Sequence, residues 1–251
     1  MHAVQRLHQY RESIATRPFK GRGYKVERCE NCRISIKYCI CLHKPQCHSD
    51  AAFLLLMWDD EVLKPSNTGR LIADLVDDTH AFIWQRTEVD PKLLALINDP
   101  QYQPFVVFPQ VYAHEGQTIV NHVPPLENGK RPLFILLDGT WREAKKMYRK
   151  SPYLNGFPLL SINLEQQSER YRLRKAITEG QLATAEVAAQ VLYSFGESDN
   201  AQLLDLWFDV FSYYSQQGAS QRHQGNEDAL EKLQRLAQTI SYEKGNKKAT
   251  N

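Results

Sequence analysis

The sequence predicts an α/β fold with a mainly parallel sheet. Continuous apolar runs of strand length recur along the chain, and each leads through a polar turn into a segment with helical spacing. The clearest run, residues 53–57, reads Phe-Leu-Leu-Leu-Met, as expected of a strand that is buried on both faces. Because parallel strands need long crossover connections, usually helices, this alternation favours a parallel sheet.

The elements follow one another regularly along the chain. Strands are expected at residues 53–57, 81–84, 105–108, 133–137 and 159–163, and helices at 71–76, 91–97, 142–150, 178–192, 200–215 and 227–239. A capping box of Thr178 and Gln181 marks the start of the fourth helix. The last ten or so polar residues are expected to form a loose tail. This divides the chain into a basic N-terminal segment (1–50), an α/β domain (51–217) and a C-terminal helix with its tail (218–251).

Composition describes a folded globular protein. The chain has 251 residues, of which 42% are hydrophobic and 24% charged, values typical of ordinary domains. No run approaches the roughly 20 apolar residues of a membrane helix, and the first residues lack the apolar core of a signal peptide. We therefore expect a cytoplasmic protein with no membrane partner.

Cysteine is confined to a short stretch, and its spacing indicates a metal site. The residues that form two tight pairs, in the pattern C-x2-C-x6-C-x-C, are Cys29, Cys32, Cys39 and Cys41. Thiolates bind Zn²⁺ tetrahedrally, so these four are expected to hold one structural zinc ion. In the alternative, His43, Cys47 or His48 replaces one of the ligands. A closed four-ligand site leaves no open coordination position, so it is expected to build structure rather than to catalyse.

Positive charge is concentrated in two segments. Residues 1–50 carry a net charge of +6 and residues 138–175 a net charge of +5, in a chain whose net charge is only +2. Within the second segment, basic residues recur at i, i+3, i+4, i+7 and i+8 of one helix, and we call this stripe the basic rail: Arg142, Lys145, Lys146, Arg149 and Lys150. Such a stripe suits the phosphate backbone of RNA; a merely solvated helix face is the alternative.

Two polar turns follow predicted strands, where ligands bind in open α/β sheets. SNTGR occupies residues 66–70, and DGTW occupies 138–141 directly after a strand. Gly139 permits a tight turn and Thr140 can cap the next helix, so the residues alone allow either a binding site or a simple cap. The chain contains neither GxxxxGK[ST] nor GxGxxG, HExxH or GxSxG, which disfavours the common ATP, NAD and two hydrolase modes.

Four sequence elements together resemble the DTW-domain family, the tRNA-uridine aminocarboxypropyltransferases. They are the four-cysteine knuckle, SNTGR, the DxTW signature read here as DGTW, and TAEVA at residues 184–188. They occur in the family's order, and the resemblance runs from about residue 25 to 215. Where relatives commonly read Ser-Thr-Ala-Glu-Ala, this chain has Ala183 for the serine and Val187 for the last alanine.

The resemblance implies an S-adenosylmethionine-dependent enzyme with a SPOUT-like fold and a C-terminal trefoil knot. The implied reaction moves the 3-amino-3-carboxypropyl group from this donor to N3 of a uridine in tRNA. In bacterial relatives that uridine is position 47 of the variable loop, and methylthioadenosine is released.

The implied site centres on Asp138, which serves either as the general base for the uridine N3 proton or as a ligand of the cofactor. Arg172 and Arg174 are expected to stabilise the developing uracil anion, and Lys175 is expected to join the basic rail in binding RNA. The cofactor pocket is expected to use Ser66, Asn67, Thr68, Gly69, Arg70, Leu137, Asp138, Thr140, Trp141, Thr184 and Glu186. The ring of Trp141 either stacks on a base or fills the core.

Two other functions remain open at this point. A SPOUT-type RNA methyltransferase would use the same pocket with the methyl group turned toward the acceptor. A noncatalytic zinc-containing RNA-binding protein would need only the knuckle and the basic rail. The partners expected from the resemblance are tRNA and S-adenosylmethionine, and the oligomeric state is left open.

Overall fold

The computed structural model describes residues 1–21, 23–127, 129–162, 182–217 and 225–249, with side chains up to 242 in the last range. The strands are β1 (Ala52–Met57), β2 (Thr79–Ile83), β3 (Tyr102–Val107), β4 (Ile119–Val120), β5 (Arg131–Asp138) and β6 (Leu159–Leu160). The helices are α1 (Ala3–Ser13), α2 (Gly69–Leu75), α3 (Pro91–Ile97), α4 (Trp141–Arg149), α5 (Thr184–Phe195), α6 (Ser198–Gln216) and α7 (Ala229–Ala249).

The strands form one sheet in the order β2-β1-β5-β3-β6-β4, and every pairing is parallel. The predicted α/β class with a parallel sheet is therefore confirmed. β1 and β5 lie side by side in the interior of the sheet, in register from Ala52 with Leu133 to Met57 with Asp138. The carboxyl ends of both strands consequently open onto the same edge of the sheet.

Each face of the sheet carries its own apolar layer, because alternate side chains of a strand point to opposite sides. Phe53 and Phe134 face the layer formed with α2, α5, α6 and α7. Leu54 and Ile135 face the layer formed with α3 and α4. The apolar runs that predicted the strands thus lie between two layers of helices.

The structure departs from the sequence-based elements at a few places. Helix α1 and the two-residue strand β4 were not predicted, and β6 is shorter than expected within the described residues. The proposed capping box at residues 178–181 lies outside the described residues. Helix α7 runs to Ala249, through the segment for which a loose tail was expected. Residues 163–181 also lie outside the described range, so the C-terminal trefoil knot and the SPOUT-like topology stay predictions.

Helix α1 ties the N-terminal segment to the rest of the protein. His2 and Gln5 form a reciprocal capping box at its start, which satisfies N–H groups that the helix itself leaves unpaired. Val4 is buried in the core, and the Arg11 guanidinium donates two hydrogen bonds, of 2.7 and 2.8 Å, to the Asp59 carboxylate just beyond β1. None of the helices in the described residues has the length and apolar character that crossing a bilayer requires.

Candidate functional site

The three polar motifs of the sequence meet at the carboxylate of Asp138, the last residue of β5. This side chain is only 3% exposed. Its Oδ2 accepts a hydrogen bond of 2.8 Å from the Asn67 amide, and its Oδ1 accepts one of 2.5 Å from the Thr184 hydroxyl. Residues from SNTGR, DGTW and TAEVA, far apart in the chain, are therefore joined at one point.

Close backbone packing holds this junction in place. A Cβ atom at Gly69 would lie 2.4 Å from the Asp138 Oδ2 atom, so only glycine lets α2 begin against the carboxylate. The Asn67 Oδ1 atom accepts the Arg70 backbone N–H at 3.2 Å. The Thr68 hydroxyl accepts the backbone N–H of Ala185 at 3.4 Å, which links SNTGR to TAEVA directly.

The environment of Asp138 shifts its protonation. Burial, and secondarily the nearby Glu61 carboxylate, raise the pKa of Asp138 to about 6. The hydrogen bonds from Thr184 and Asn67 oppose this rise, because they favour the ionised form. Asp138 is thus mainly ionised at neutral pH, yet its pKa is close enough to take up a proton during a reaction.

A cavity of about 420 Å³ opens beside this junction at the carboxyl edge of the sheet. Of the predicted cofactor-binding residues, Leu137, Thr140, Trp141 and Thr184 line it. Its remaining walls, which were not predicted, come from the ends of β3, β5 and β6, from Gly139 and α4, and from α5 and the residues just before it; they include Phe108. The rule that ligands bind beyond the carboxyl ends of strands would have included Phe108, had it been applied to every strand.

Several predicted cofactor-binding residues lie behind this cavity rather than in its wall. Asn67, Gly69 and Asp138 are buried and do not line it. Thr184 connects the cavity with the buried Asp138 carboxylate, because it lines the cavity and its hydroxyl donates a hydrogen bond to Asp138.

The other predicted pocket residues have different surroundings. Ser66 is exposed, and Thr68 is half-buried and outside the cavity wall. The Glu186 carboxylate accepts the Ala183 backbone N–H at 2.7 Å, at the start of α5. Arg70 faces a separate cavity beneath the cysteine knuckle.

The start of α4 combines a cap with an aromatic wall. Thr140 caps the helix, because its hydroxyl accepts the Glu143 N–H while the Glu143 carboxylate accepts the Thr140 N–H. The half-buried ring of Trp141 stacks on Phe108 with centroids 5.3 Å apart. The Lys145 ammonium lies 5.8 Å from the Trp141 ring centroid. Thr140 is thus both a helix cap and a cavity residue.

The basic rail lies on the solvent side of α4, as its spacing predicted. Ala144, Met147 and Tyr148 are buried on the opposite side. Lys145 is half-buried, and the other four members of the rail are exposed. Within the parts of the chain that the structure describes, no rail residue forms an ion pair with an acidic side chain, so the rail's charge is available for a polyanion.

The four predicted cysteines cluster as a metal site requires. Their Sγ atoms all lie within 4.8 Å of one another, with 3.6 Å between Cys29 and Cys41 and 3.7 Å between Cys32 and Cys39. A tetrahedral ion with Zn–S bonds of about 2.3 Å implies an S–S separation of roughly 3.8 Å, so these residues fit zinc. The thiol of Cys47 lies elsewhere and donates to the Leu75 carbonyl at 3.0 Å.

The knuckle packs on the core of the α/β domain. Arg33 takes up a left-handed conformation with φ of 60°, and the Cys29 N–H donates to the Ile34 carbonyl at 2.8 Å to close the turn. Ile34 and Ile40 are buried in the same apolar layer as Phe53.

Of the predicted functional residues, Arg172, Arg174 and Lys175 lie outside the described residues.

Comparison with known protein families identifies the class. The family model described as the DTW domain matches residues 26–216, about three quarters of the chain. The chain therefore belongs to the DTW-domain family, the family of tRNA-uridine aminocarboxypropyltransferases. The match includes the four cysteines of the knuckle and the six strands in the described part of the chain. No solved structure matches the chain. The protein is accordingly a member of a family of tRNA-modifying enzymes.

Proposed function

We propose that this protein transfers the 3-amino-3-carboxypropyl group of S-adenosylmethionine to N3 of a uridine in tRNA, at position 47 of the variable loop, and releases methylthioadenosine. Family membership supports tRNA as the substrate. The observation that carries the proposal is the buried Asp138 carboxylate, which joins SNTGR and TAEVA beside a cavity at the sheet edge.

The cavity beside β5 is proposed to bind the cofactor. Its volume of about 420 Å³ falls within the roughly 300 to 1,000 Å³ of small-molecule sites. The rings of Trp141 and Phe108 offer flat apolar surface for a base, and the hydroxyls of Thr140 and Thr184 offer polar contacts. S-adenosylmethionine supplies an electrophilic carbon next to its sulfonium. Its orientation in the pocket decides whether the aminocarboxypropyl or the methyl carbon faces the nucleophile.

Asp138 and Thr184 are proposed to remove the proton from uridine N3. Asp138 is buried and does not line the cavity, so its carboxylate does not reach the N3 proton directly. Thr184 reaches both, so its Oγ1 takes the N3 proton while its own proton passes to Asp138 Oδ1. The N3 anion then forms the new N–C bond as the C–S bond breaks. Arg172 and Arg174 are proposed to stabilise this anion.

Asp138 also has a second proposed role that needs no proton transfer. In that role it binds the amino group or ribose of the cofactor, after its hydrogen bonds to Asn67 and Thr184 rearrange. The two roles differ in the step that protonation of Asp138 slows: loss of the base lowers the rate even at saturating S-adenosylmethionine, whereas loss of a cofactor contact weakens cofactor binding.

The tRNA is proposed to lie along the basic rail and Lys175. The rail begins one residue after Trp141, so phosphates on α4 would place a nucleotide next to the cavity. Its contacts would give affinity without base specificity.

A labelling experiment tests the reaction. The protein is incubated with an unmodified tRNA transcript and S-adenosylmethionine that carries label either on the methyl or on the aminocarboxypropyl carbons. We expect only the aminocarboxypropyl label to enter uridine. Transfer of the methyl label would indicate a methyltransferase instead, and no transfer of either label would indicate a noncatalytic RNA-binding protein.

Charge reversal tests the rail. Lys145→Glu with Arg149→Glu should weaken tRNA binding at least tenfold and lower the slope of log K against log salt by about 2, because each lost phosphate contact lowers it by about 1. Arg86→Glu with Lys92→Glu is the matched control, since both residues are exposed and lie outside the rail. Equal slopes in the two double variants would refute the rail.

A further inference from the structure

A second cavity, of about 260 Å³, lies between α1, the cysteine knuckle and α2. Its lining shares no residue with that of the cavity beside β5. Basic side chains from all three elements reach it: His8 from α1, Arg33 from the knuckle, and Arg70 from α2. The proposed transfer reaction uses none of these side chains.

Arg70 is a buried cation with an unused hydrogen-bond donor. It is 4% exposed, and burial lowers its pKa to about 10, so it stays protonated at neutral pH. Its Nε donates to the Asn67 carbonyl and its Nη1 to the Asn31 carbonyl, each at 3.3 Å. The guanidinium also packs on the Phe211 ring, 4.7 Å from the centroid. Among the described residues, its Nη2 has no hydrogen-bond partner.

A buried, unpaired N–H on a cation is costly unless something accepts it. Arg70 forms no ion pair within the described residues, although it is attracted electrostatically to Asp74 and, less strongly, to Cys32 and Cys41 of the knuckle. The buried Arg33 Nε atom likewise lacks a hydrogen-bond partner in the described part of the chain. Two guanidinium groups that border the cavity thus each have an N–H donor without a hydrogen-bond partner in the described residues.

The acids around the cavity neutralise this charge only partly. The Glu12 carboxylate stands 4.0 Å from Arg33 and 3.2 Å from His8, but its side chain is 55% exposed. Glu30, on the cavity lining, is exposed. The ammonium of Lys64 is paired with Glu61 at 2.6 Å. Burial lowers the pKa of His8, and the charges of Arg33 and Arg70 lower it further, as expected where positive potential exceeds negative.

A guanidinium with free N–H groups suits a tetrahedral oxyanion, because its planar donors match the oxygens of a phosphate. The surroundings indicate the source of that phosphate. A neighbouring groove of about 430 Å³ shares Glu12 and Arg33 with the cavity and adds Arg17 and Arg28. Phe19 and Tyr24, 37% and 58% exposed, line the same groove. Basic side chains interleaved with exposed aromatic rings are typical of surfaces that bind unpaired nucleotides.

We propose that the cavity at Arg33 and Arg70 is an anion site that receives a phosphate group of the tRNA backbone, separately from the basic rail. The inference rests on the proposed function only in taking tRNA as the partner. It assigns Arg70, within SNTGR, to holding RNA beneath the knuckle.

Binding measurements on the full-length, metal-loaded protein test this site. Inorganic phosphate is titrated by calorimetry at constant ionic strength, and tRNA affinity is measured with and without phosphate. Arg33→Gln removes one cation from the rim, and we expect it to weaken both phosphate and tRNA about tenfold and to lower the salt slope for tRNA by about 1. Arg235→Gln, a change at an exposed arginine of α7, should leave both affinities unchanged. Arg70→Lys should keep the charge but weaken phosphate binding, since a lysine cannot reproduce the guanidinium geometry.

The outcomes separate the possible sources of the phosphate. Competition between phosphate and tRNA that is lost in Arg33→Gln would support the proposal as stated. Saturable phosphate binding without competition would overturn the RNA assignment and leave a site for a free anion. No saturable phosphate binding, with equal tRNA affinity in Arg33→Gln and Arg235→Gln, would overturn the site altogether. Because no measurement requires transfer of label, a protein that passes these tests yet transfers nothing would refute the proposed reaction alone.

Discussion

The sheet edge and the cysteine knuckle hold functional side chains by different physical means. At the sheet edge, Asp138 ends a strand whose apolar residues are buried between two layers of helices, so hydrophobic burial fixes its position. The knuckle contributes few apolar side chains, chiefly Ile34 and Ile40, and brings together four cysteines that could share one metal ion. The proposed reaction centre should therefore tolerate loss of metal far better than the proposed anion cavity.

Metal removal is the strongest test of this contrast. Structural zinc sites bind with about 10 to 16 kcal/mol in zinc-finger peptides, and that energy is folding energy. We expect Cys32→Ser to lose the metal, and amide exchange in residues 25–50 to accelerate while β1 and β5 stay protected. Metal content and hydrogen exchange measure the two effects.

Cys47→Ser is the matched control, because that thiol lies outside the cluster and contacts the Leu75 carbonyl. It should retain a full complement of metal. Normal metal content in Cys32→Ser, or loss of metal in Cys47→Ser, would contradict the four-thiolate site. Fast amide exchange in β1 and β5 of Cys32→Ser would show that the sheet edge depends on the metal as strongly as the knuckle does.

Asp138→Asn tests the other region. The folded pKa of Asp138, about 6, is above its unfolded value near 3.9, so the folded state binds more protons between these values. Its contribution to stability is therefore greatest below pH 4 and falls as pH rises through 6. Between these two pH limits, the contribution of Asp138 to the free energy of unfolding changes by ~2 to 3 kcal/mol. We expect Asp138→Asn to flatten this part of the pH–stability curve and to abolish transfer while tRNA binding is kept.

Urea unfolding between pH 4 and 7 measures the stability change, with Asp199→Asn, at an exposed acid of α6, as control. Turnover of Asp138→Asn at the wild-type rate would exclude Asp138 as the base. At saturating S-adenosylmethionine, the wild-type rate should decline as pH falls through about 6 if Asp138 is the base. A decline that saturating cofactor abolishes would favour the cofactor-binding role.

Local patterns were enough to predict most of the sheet and the cluster of four cysteines. The runs at 53–57 and 133–137 became central strands because continuous apolar residues of that length can be satisfied only by burial on both faces. The four cysteines cluster because two tight pairs leave little freedom in how they meet. The turns SNTGR and DGTW meet because β1 and β5 are parallel neighbours.

Other features depend on contacts that local patterns do not contain. Helix α1 is largely polar and shows no continuous apolar face, and its stability comes from a cap and from packing on the rest of the chain. Strand β4 has two residues, too few for a periodic signal. The direction of the Arg70 side chain is set by carbonyls of Asn67 and Asn31 and by the Phe211 ring. Only the three-dimensional structure brings those groups together.

The smallest predicted effect concerns the departure from the family at the start of α5. Ala183 occupies the cap position with extended φ and ψ of −71° and 154°, but it has no side-chain oxygen to accept a helix N–H. The Glu186 carboxylate already supplies the reciprocal half of a capping box. Ala183→Ser should complete the box and stabilise the protein by ~0.5 to 1 kcal/mol. A rise of about 1 to 4 °C in Tm is expected for a chain of this size.

Ala113→Ser, at a half-buried position outside any helix N-terminus, controls for the added hydroxyl and should give no such rise. A neutral or destabilising Ala183→Ser would show that Glu186 alone satisfies the helix start. Because Ala183 adjoins Thr184, the same variant also probes chemistry. A change in transfer rate, with Tm shifted as expected, would mean that the serine hydroxyl acts on the proton path through Thr184, whereas an unchanged rate would confine its role to capping.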